Sequence, residues 1–220
     1  MIEGGPLNKL YIYGASYGDV VKLVDAINRV TSSWTISGFL DDTRELRGKT
    51  TMGYTILGGR ELLPELAGLD DAYFFNNVNG TRAGNRHVAE VLDSYHCHIP
   101  SLIHPSIDVN YVEVGRGCII PDGCVVGANV SIGDFVTIRY GCVVSHDVKI
   151  GNHVLLGPGV SIGGRATVHN GCVIGTGATL LMETTVHEGA TIGAGTVIIR
   201  DVPGHATMVG VPGKIVKKSP

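Results

Sequence analysis

The sequence lacks any long run of charge of one sign. Its 220 residues include 17 Lys and Arg against 20 Asp and Glu, giving a formal net charge of −3. No basic cluster or acidic tail is present, so binding to nucleic acid or to an anionic membrane is not predicted. No stretch of 18 apolar residues occurs either, and a membrane span is therefore not expected.

A secretion signal and an even set of cysteines are also missing. The opening residues show no basic segment followed by an apolar run. The five cysteines, an odd number, favour reduced thiols over a disulfide framework, so a cytoplasmic location is predicted. What the sequence has in excess is glycine, with 32 residues that fall mostly after residue 110. A regional glycine excess indicates repeated turns.

Residues 9–95 alternate between short apolar runs and segments with helical spacing. Strands are predicted at 9–13, 35–40 and 72–75, and helices at 20–27, 60–66 and 86–95, the first of them capped by Asp19. This order predicts a parallel sheet with right-handed crossovers. About 90 residues allow at most half of a dinucleotide-binding fold.

From residue 112 the sequence follows a period of six. Every sixth position is aliphatic, fifteen times in succession and without an insertion. With 44% apolar residues, chance gives this pattern roughly once in 10⁵ frames. Gly follows in eight of the fifteen cases. The fifteen positions are Val114, Ile120, Val126, Ile132, Ile138, Val144, Ile150, Leu156, Ile162, Val168, Ile174, Leu180, Val186, Ile192 and Ile198.

This pattern is the hexapeptide repeat of a parallel β-helix. Three hexapeptides form one triangular coil of 18 residues, so about five coils are predicted, with aliphatic side chains stacked inside and glycine at corners. Four cysteines occupy the small inward position and are predicted to be buried rather than catalytic: Cys118, Cys124, Cys142 and Cys172. The segment after Asp201, rich in Pro and Gly, is predicted to end and cap the solenoid.

His146 is the residue best suited to proton transfer. It lies two positions after the inward Val144, at a predicted corner, and histidine is the usual general base near neutral pH. The adjacent Asp147 can orient the ring and stabilise its charged form. Gly164 follows 18 residues later, one coil higher and about 4.8 Å away. Its backbone N–H is a candidate oxyanion donor, although Gly163-Gly164 as a simple turn is the alternative.

Two stretches of the N-terminal region suit a nucleotide. Gly14, Ser16 and Tyr17 lie in a turn between a strand and a helix, where backbone N–H groups can bind phosphate. The spacing is not GxGxxG and does not indicate NAD. Asp41 and Asp42 close the second strand, where an acidic residue can bind a ribose; a merely polar strand end is the alternative.

Other polar residues carry weaker signals. Asn77 and Asn79 lie in a loop that can reach the nucleotide. His169 and His187 are 18 residues apart and are expected to stack at one exposed corner. Two histidines without a third ligand do not make a zinc site, so no metal is predicted. His153 lies near the coil of His146 and can touch a ligand there.

Five stretches together resemble the NeuD/PglD group of sugar acyltransferases: Ile12-Tyr-Gly-Ala-Ser16, Gly38-Phe-Leu-Asp-Asp42, Leu102-Ile-His-Pro-Ser106, Ser145-His-Asp147 and Val209-Gly-Val-Pro-Gly-Lys214. The resemblance runs from Lys9 to Lys218. It implies a Rossmann-like α/β domain at 1–98 that binds a nucleotide sugar. It also implies a left-handed parallel β-helix at 99–220 with a C-terminal cap. The group uses acetyl-CoA, and the functional unit is expected to be a homotrimer with CoA in the groove between neighbouring β-helices.

The resemblance also distributes roles over the candidate residues. Catalysis is expected from His146, Asp147 and Gly164. Acetyl-CoA binding is expected from Gly163, Gly164, His153, Leu155, Val211, Pro212 and Lys214. Binding of the nucleotide sugar is expected from Gly14, Ser16, Tyr17, Asp41, Asp42, Asn77, Asn79 and Arg139.

Three positions depart from the group. Gly18 replaces a common histidine, Arg139 replaces a common asparagine, and Leu155 replaces a frequent second histidine. The base and its acidic partner are kept, so acyl transfer is still predicted, whereas the identity of the acceptor is left open. Arg139 can face a substrate phosphate or carboxylate, or pair with a nearby acid.

The function predicted from the sequence is N-acetylation of a nucleotide-linked 4-amino-deoxy sugar, most simply a UDP sugar, for lipopolysaccharide O-antigen or a related surface glycan. A GDP or dTDP amino sugar and O-acetylation of a sialic-acid-like sugar are the alternatives within the same enzyme class. A hexapeptide carbonic anhydrase would need three zinc histidines. A structural solenoid with a degenerate nucleotide domain would have no use for the His146-Asp147 pair.

Overall fold

The computed structural model describes residues 7–218. The chain divides into two compact units, and the division falls between Leu102 and Ile103. No helix among the described residues is both long and apolar enough to cross a membrane.

The first unit is a five-stranded sheet flanked by helices. Its elements are β1 (Asn8–Tyr13), α1 (Asp19–Thr31), β2 (Trp34–Leu40), β3 (Thr50–Thr51), β4 (Tyr54–Gly58), α2 (Leu63–Leu66), β5 (Ala72–Asn76) and α3 (Arg82–Ser94). The order in the sheet is β3-β4-β2-β1-β5. All neighbours are parallel except the β3–β4 hairpin. Short 3₁₀ turns precede the hairpin at Arg44–Leu46 and α2 at Arg60–Leu62.

The structure corrects several details predicted for this unit. Asp19 is the first residue of α1 and not its cap, because Gly18 takes the N-cap position without a side-chain bond. Helix α3 begins earlier than expected, since the Thr81 hydroxyl accepts a hydrogen bond from the Gly84 N–H. The β3–β4 hairpin was not predicted. Its first strand is two residues long, too short to show a period of two.

The second unit is a parallel β-helix with three faces. One face contains β7 (Glu113–Val114), β10 (Ser131–Ile132), β13 (Lys149–Ile150), β16 (Thr167–Val168) and β19 (Thr185–Val186). Another contains β9 (Val125–Val126), β12 (Val143–Val144), β15 (Ser161–Ile162), β18 (Thr179–Leu180) and β21 (Val197–Ile198). The third contains β6 (Leu102–Ile103), β8 (Ile119–Ile120), β11 (Thr137–Ile138), β14 (Leu155–Leu156), β17 (Val173–Ile174), β20 (Thr191–Ile192), β22 (Ala206–Val209) and β23 (Lys214–Lys218).

The hexapeptide register is as predicted. Each strand from β7 to β21 ends on one of the fifteen aliphatic positions, and partners in adjacent coils are 18 residues apart. Thirteen of the fifteen are buried, and only Val114 and Val126, near the start of the helix, are partly exposed. The four inward cysteines are buried, and none of them forms a disulfide. Stacking of branched aliphatic side chains in register is what holds the coils together.

The solenoid ends one strand later than expected. After Asp201 the chain still adds β22, which pairs in parallel with β20 on the eight-stranded face. The final strand, β23, then pairs antiparallel with β22. The cap is therefore a hairpin laid on the last coil of one face.

Candidate functional site

The turns between hexapeptides stack into three corners, each with one residue per coil in the left-handed backbone region. The first, the glycine corner, has Gly123, Gly141, Gly159, Gly177 and Gly195 at that position. The second, the His146 corner, has Asn129, Asp147, Arg165 and Glu183, and is preceded by Tyr111, 18 residues before Asn129. The third, the His153 corner, has Gly117, Phe135, His153, Gly171 and Gly189. Apart from Tyr111, each of these residues is three positions after an inward aliphatic side chain.

At the His146 corner, the side chains of the adjacent residues His146 and Asp147 are hydrogen-bonded to each other. The imidazole Nδ1 lies 2.7 Å from a carboxylate oxygen of Asp147. Because an ionised carboxylate only accepts, Nδ1 carries the proton of this bond and Nε2 is left as the basic nitrogen. The two side chains are 51% and 44% exposed, so the basic nitrogen is open to a substrate.

Gly164 lies against the reactive edge of the imidazole. A Cβ at position 164 would lie 2.7 Å from Nε2 and 2.8 Å from Cε1 of His146, closer than real contacts allow. A larger residue at position 164 would therefore displace the ring from this position. Its carbonyl accepts from the Glu183 N–H, while its own N–H has no acceptor among residues 7–218. A free N–H next to a basic nitrogen is the arrangement that an oxyanion donor requires.

The neighbouring Gly163 has a different part. Its N–H already donates to the Leu180 carbonyl at 2.8 Å, as the ladder between coils requires. A Cβ there would meet the backbone nitrogen of Met182 at 2.5 Å. Gly163 is thus needed for close stacking of the coils, and its N–H is not available to a ligand.

Two further side chains, besides His146, act on the Asp147 carboxylate. The Asn129 amide donates to its second oxygen at 3.3 Å. Hydrogen bonds from His146 and Asn129 hold the pKa of the Asp147 carboxyl below its ordinary value, and the positive charge of Arg165 acts in the same direction. Arg165 is fixed in turn by Glu183, with Nε 2.8 Å from the carboxylate. The sequence analysis missed Asn129, Arg165 and Glu183, although Asn129 and Arg165 lie 18 residues on either side of Asp147 and Glu183 lies 18 residues after Arg165.

Other predicted ligand residues lie at other corners of the same helix. Arg139 begins a turn of the glycine corner, where its N–H donates to the Leu156 carbonyl. His153 stacks on Phe135, with ring centroids 5.3 Å apart. Leu155 lies in β14 and is half-buried. Within one chain these three residues are therefore not brought together with His146.

The C-terminal candidates lie in the cap. Val211 is 72% exposed, and Pro212, joined to it by a cis peptide bond, is exposed as well. Lys214 begins β23 and is also exposed. All three side chains are accessible, as ligand contacts would require.

The N-terminal unit holds a crevice of about 350 Å³ at the carboxyl ends of β1, β2 and β5. It is lined by Gly14, Ser16, Tyr17, Asp41, Thr43, Asn77, Val78, Gly80 and Thr81, which include five of the predicted nucleotide-sugar residues. Helices α1 and α3 both begin at its rim, directly after Gly18 and Thr81. Helix N-termini at the carboxyl end of parallel strands are a common place for phosphate.

Most polar side chains of this crevice brace its loops. The Asp41 carboxylate accepts from the N–H groups of Ala15 and Thr43. The buried Asn77 amide donates to the carbonyls of Gly14 and Tyr17, both at 2.9 Å. Asn77 therefore fixes the shape of the glycine turn, whereas the sequence predicted that it reaches the nucleotide. Asn79, also buried, is 1% exposed.

Asp42 is committed to neighbouring side chains. It accepts from the Tyr13 hydroxyl at 2.8 Å and forms an ion pair with Arg60, whose Nε lies at 3.1 Å. Burial disfavours its charged form, but the hydrogen bonds from Arg60 and Tyr13 outweigh burial and lower its pKa. Burial, with Asp42 beside it, raises the pKa of Tyr13. Asp42 lines a separate cavity of about 570 Å³, with Arg44 and Arg47 at its wall.

His169 and His187 stack as predicted, with ring centroids 5.3 Å apart, and both are exposed. Across residues 7–218 no group of three or more His, Cys, Asp or Glu side chains is placed to hold a metal ion.

Comparison with known proteins places these features in a family setting. Residues 147–181 match the family model for the bacterial transferase hexapeptide (six repeats). No curated protein sequence matches the chain.

Several solved structures match almost the whole chain. The acetyltransferase domain of PglB from Neisseria gonorrhoeae is 28% identical with a TM-score of 0.84, over 95% of this chain and 100% of that domain. It has also been solved with acetyl coenzyme A. PerB from Caulobacter crescentus, in complex with CoA and GDP-perosamine, is 26% identical with a TM-score of 0.83, over 96% of this chain and 99% of that one.

WeeI from Acinetobacter baumannii shares the fold, at 22% identity and a TM-score of 0.81, over 94% of this chain and 99% of that one. Together with the hexapeptide match, these structures confirm the resemblance to sugar acetyltransferases of the NeuD/PglD type that the sequence predicted.

Proposed function

We propose that the chain transfers an acetyl group from acetyl-CoA to the amino group of a nucleotide-linked 4-amino-deoxy sugar, with His146 as general base. The observation that carries the proposal is the geometry around the imidazole. Nδ1 is held by Asp147 at 2.7 Å, and Nε2 lies over Gly164, whose N–H meets no acceptor in the described part of the chain. The similar PglB domain and PerB bind acetyl-CoA or CoA, which supports the same donor here.

In the proposed reaction, the sugar amine attacks the thioester carbonyl while Nε2 of His146 accepts its proton. The Gly164 N–H donates to the oxygen that becomes negative as the tetrahedral intermediate forms. The Asp147 carboxylate stabilises the imidazolium. When the C–S bond breaks, the imidazolium returns a proton to the leaving thiolate, and the products are CoA thiol and the N-acetyl sugar.

We assign the acceptor's nucleotide to the N-terminal unit, with the Rossmann-like domain at 1–98 and the transferase domain at 99–220. The crevice beside the glycine turn supports this, because it combines two helix N-termini with the strand ends that usually receive phosphates. UDP is the simplest candidate from the family resemblance. GDP gains support from the GDP-perosamine bound by PerB.

We further propose that the β-helix is left-handed and assembles as a homotrimer. The outward side chains of Val125 and Val143, on one face, are 58% and 42% exposed and suit an interface between subunits. Within one chain the three corners cannot meet, so Arg139 and His153 of a second copy would complete the site around His146. Light scattering on the purified protein tests this, since a monomer of 23.2 kDa would contradict it.

A second candidate within this class is O-acetylation of a sialic-acid-like sugar. The same base and oxyanion donor serve a hydroxyl acceptor. The two reactions differ in the pH dependence of their rates. An amine acceptor that is protonated as ammonium must lose a proton before it can attack, whereas a sugar hydroxyl is already neutral.

The experiment is thiol release from acetyl-CoA with UDP-, GDP- and dTDP-linked 4-amino sugars and with free sialic acid, for the wild type and His146→Ala. We expect saturable release with one nucleotide amino sugar, reduced about 10²- to 10⁴-fold in the variant. Release with sialic acid alone would move the assignment to O-acetylation. Unchanged release by His146→Ala would remove the proposed base.

A further inference from the structure

The His146 corner and the glycine corner differ in residue type at the left-handed position, where the backbone is unfavourable for any residue with a side chain. Asn129, Asp147, Arg165 and Glu183 occupy four successive coils with φ of 59°, 59°, 60° and 63°. In this region a side chain costs free energy that glycine does not. The glycine corner solves the same turn with glycine in every coil. Four unfavourable side chains in one column indicate that the side chains themselves are required.

These four side chains form two hydrogen-bonded pairs, Asn129 with Asp147 and Arg165 with Glu183. The Asn129 amide donates to one oxygen of Asp147, and the other oxygen faces Nδ1 of His146. On the opposite side, Arg165 brings a positive charge toward Asp147 and is tied to Glu183 at 2.8 Å. We call this column of four side chains the ladder. Along the helix axis it presents a neutral donor, an acceptor, a cation and an anion, in that order.

We infer that Asn129 and Arg165 are positioning residues for the proposed acetyl transfer, acting through Asp147 to hold the His146 imidazole with Nε2 toward the substrate. The inference rests on the proposed function for its kinetic consequence. Asn129 fixes one carboxylate oxygen so that the other stays aimed at Nδ1. Arg165, hydrogen-bonded to Glu183, places a positive charge one coil from the carboxylate, where it favours the ionised form. Neither side chain needs to touch the substrate.

Glycine substitution separates this role from a structural one. In Asn129→Gly and Arg165→Gly the backbone relaxes, so the melting temperature should be unchanged or higher. We expect kcat to fall about tenfold, the order of a hydrogen bond to a charged group, with KM for acetyl-CoA unchanged. His205→Gly is the matched control, because His205 has φ of 56° but lies near the C-terminal end, outside the ladder.

A double-mutant cycle tests whether the effect passes through Asp147. Asp147→Gly should lower kcat, and adding Asn129→Gly to it should change nothing further. Additive losses would show that Asn129 acts independently, which overturns the inference. A kcat unchanged in both single glycine variants would overturn it as well.

A measurement that does not need activity keeps this inference distinct from the proposed function. In protein labelled with ¹⁵N-histidine, with His146→Ala for assignment, the ¹⁵N shifts report the tautomer of His146. We expect the Nδ1–H form in the wild type and a mixture of tautomers in Asn129→Gly/Arg165→Gly. If the tautomer changes as expected but the wild-type protein transfers no acetyl group, the proposed function is refuted and the positioning role stands. An unaltered tautomer would refute the positioning role.

Discussion

The glycine corner and the His146 corner are the same turn made twice from different residues. In the glycine corner, φ falls between 64° and 75° in five glycines, so the left-handed position carries no side chain. In the His146 corner, four polar residues take nearly the same φ and pair across coils, Asn129 with Asp147 and Arg165 with Glu183. The backbone of a β-helix is thus a uniform support, and its chemistry depends on which corner gives up glycine.

The largest effect on kcat is expected at Gly164, the glycine of the His146 corner that lies against the imidazole. Gly164→Ala would put a methyl group 2.7 Å from Nε2 of His146, so the ring must move off its position. We expect kcat to fall about 100-fold, the order of losing a well-placed general base, while the coils stay folded because the ring can swing toward solvent. Steady-state kinetics and circular dichroism test both parts.

The control for this change is Gly68→Ala, whose new methyl group meets only the Glu65 carbonyl oxygen, at 3.5 Å. It should leave kcat unaltered. If Gly164→Ala turned over at the wild-type rate, the close approach of His146 and Gly164 could not be catalytic.

A moderate effect on stability is expected when a glycine of the glycine corner gains a side chain, or when a polar residue of the His146 corner is replaced by glycine. Gly159→Ala meets no atom within 4 Å, so its cost is purely that of the left-handed backbone. We expect the free energy of unfolding to fall by about 1–2 kcal/mol, with activity retained. Asp147→Gly should show the reverse pattern, a higher melting temperature and a slower enzyme. Equal stability changes in both variants would remove the distinction between the corners.

The smallest effect is a pH dependence of stability that only the polar corner should show. Because the pKa of Asp147 is lowered in the folded protein, its contribution is present above the ordinary carboxyl pKa of about 4 and is lost as pH falls through the lowered value. The difference in melting temperature between wild type and Asp147→Asn should therefore shrink between pH 6 and pH 3, taken as roughly the window around that pKa. A difference that stays constant over this range would argue against the pairing. The effect is small because both partners of the pair are about half exposed.

Much of the β-helix could be predicted from the sequence because its signal is local and repeated. Inward aliphatic residues every six positions determine strand position, register and burial together. Only the end was misplaced, since β22 still pairs in parallel after a segment in which Pro203 and Gly204 had suggested a stop. Proline and glycine mark a turn, but they do not say whether the next strand rejoins the stack.

The site was only partly predictable, for a physical reason. The pair His146-Asp147 is adjacent in sequence, and the Gly164 spacing follows from one coil. Asn129 and Arg165 are of different residue types and carry no repeat of their own. Their relation to Asp147 appears only when residues 18 apart are read as neighbours and the left-handed backbone is known. In the first unit, likewise, Asn77 was identified as a polar loop residue, but only the structure shows that it braces the glycine turn.

The C-terminal hairpin affects whether a second copy of the chain can add to the end of the β-helix. An open parallel coil offers a row of unpaired N–H and C=O groups that another copy's first coil could match, which is the geometry of a growing fibre. Strand β23 runs the opposite way and covers this edge on the longest face. Its exposed Lys214 and Lys217 add positive charge where a second molecule would have to approach. The last strand therefore occupies the edge of the longest face to which a further parallel strand could otherwise add.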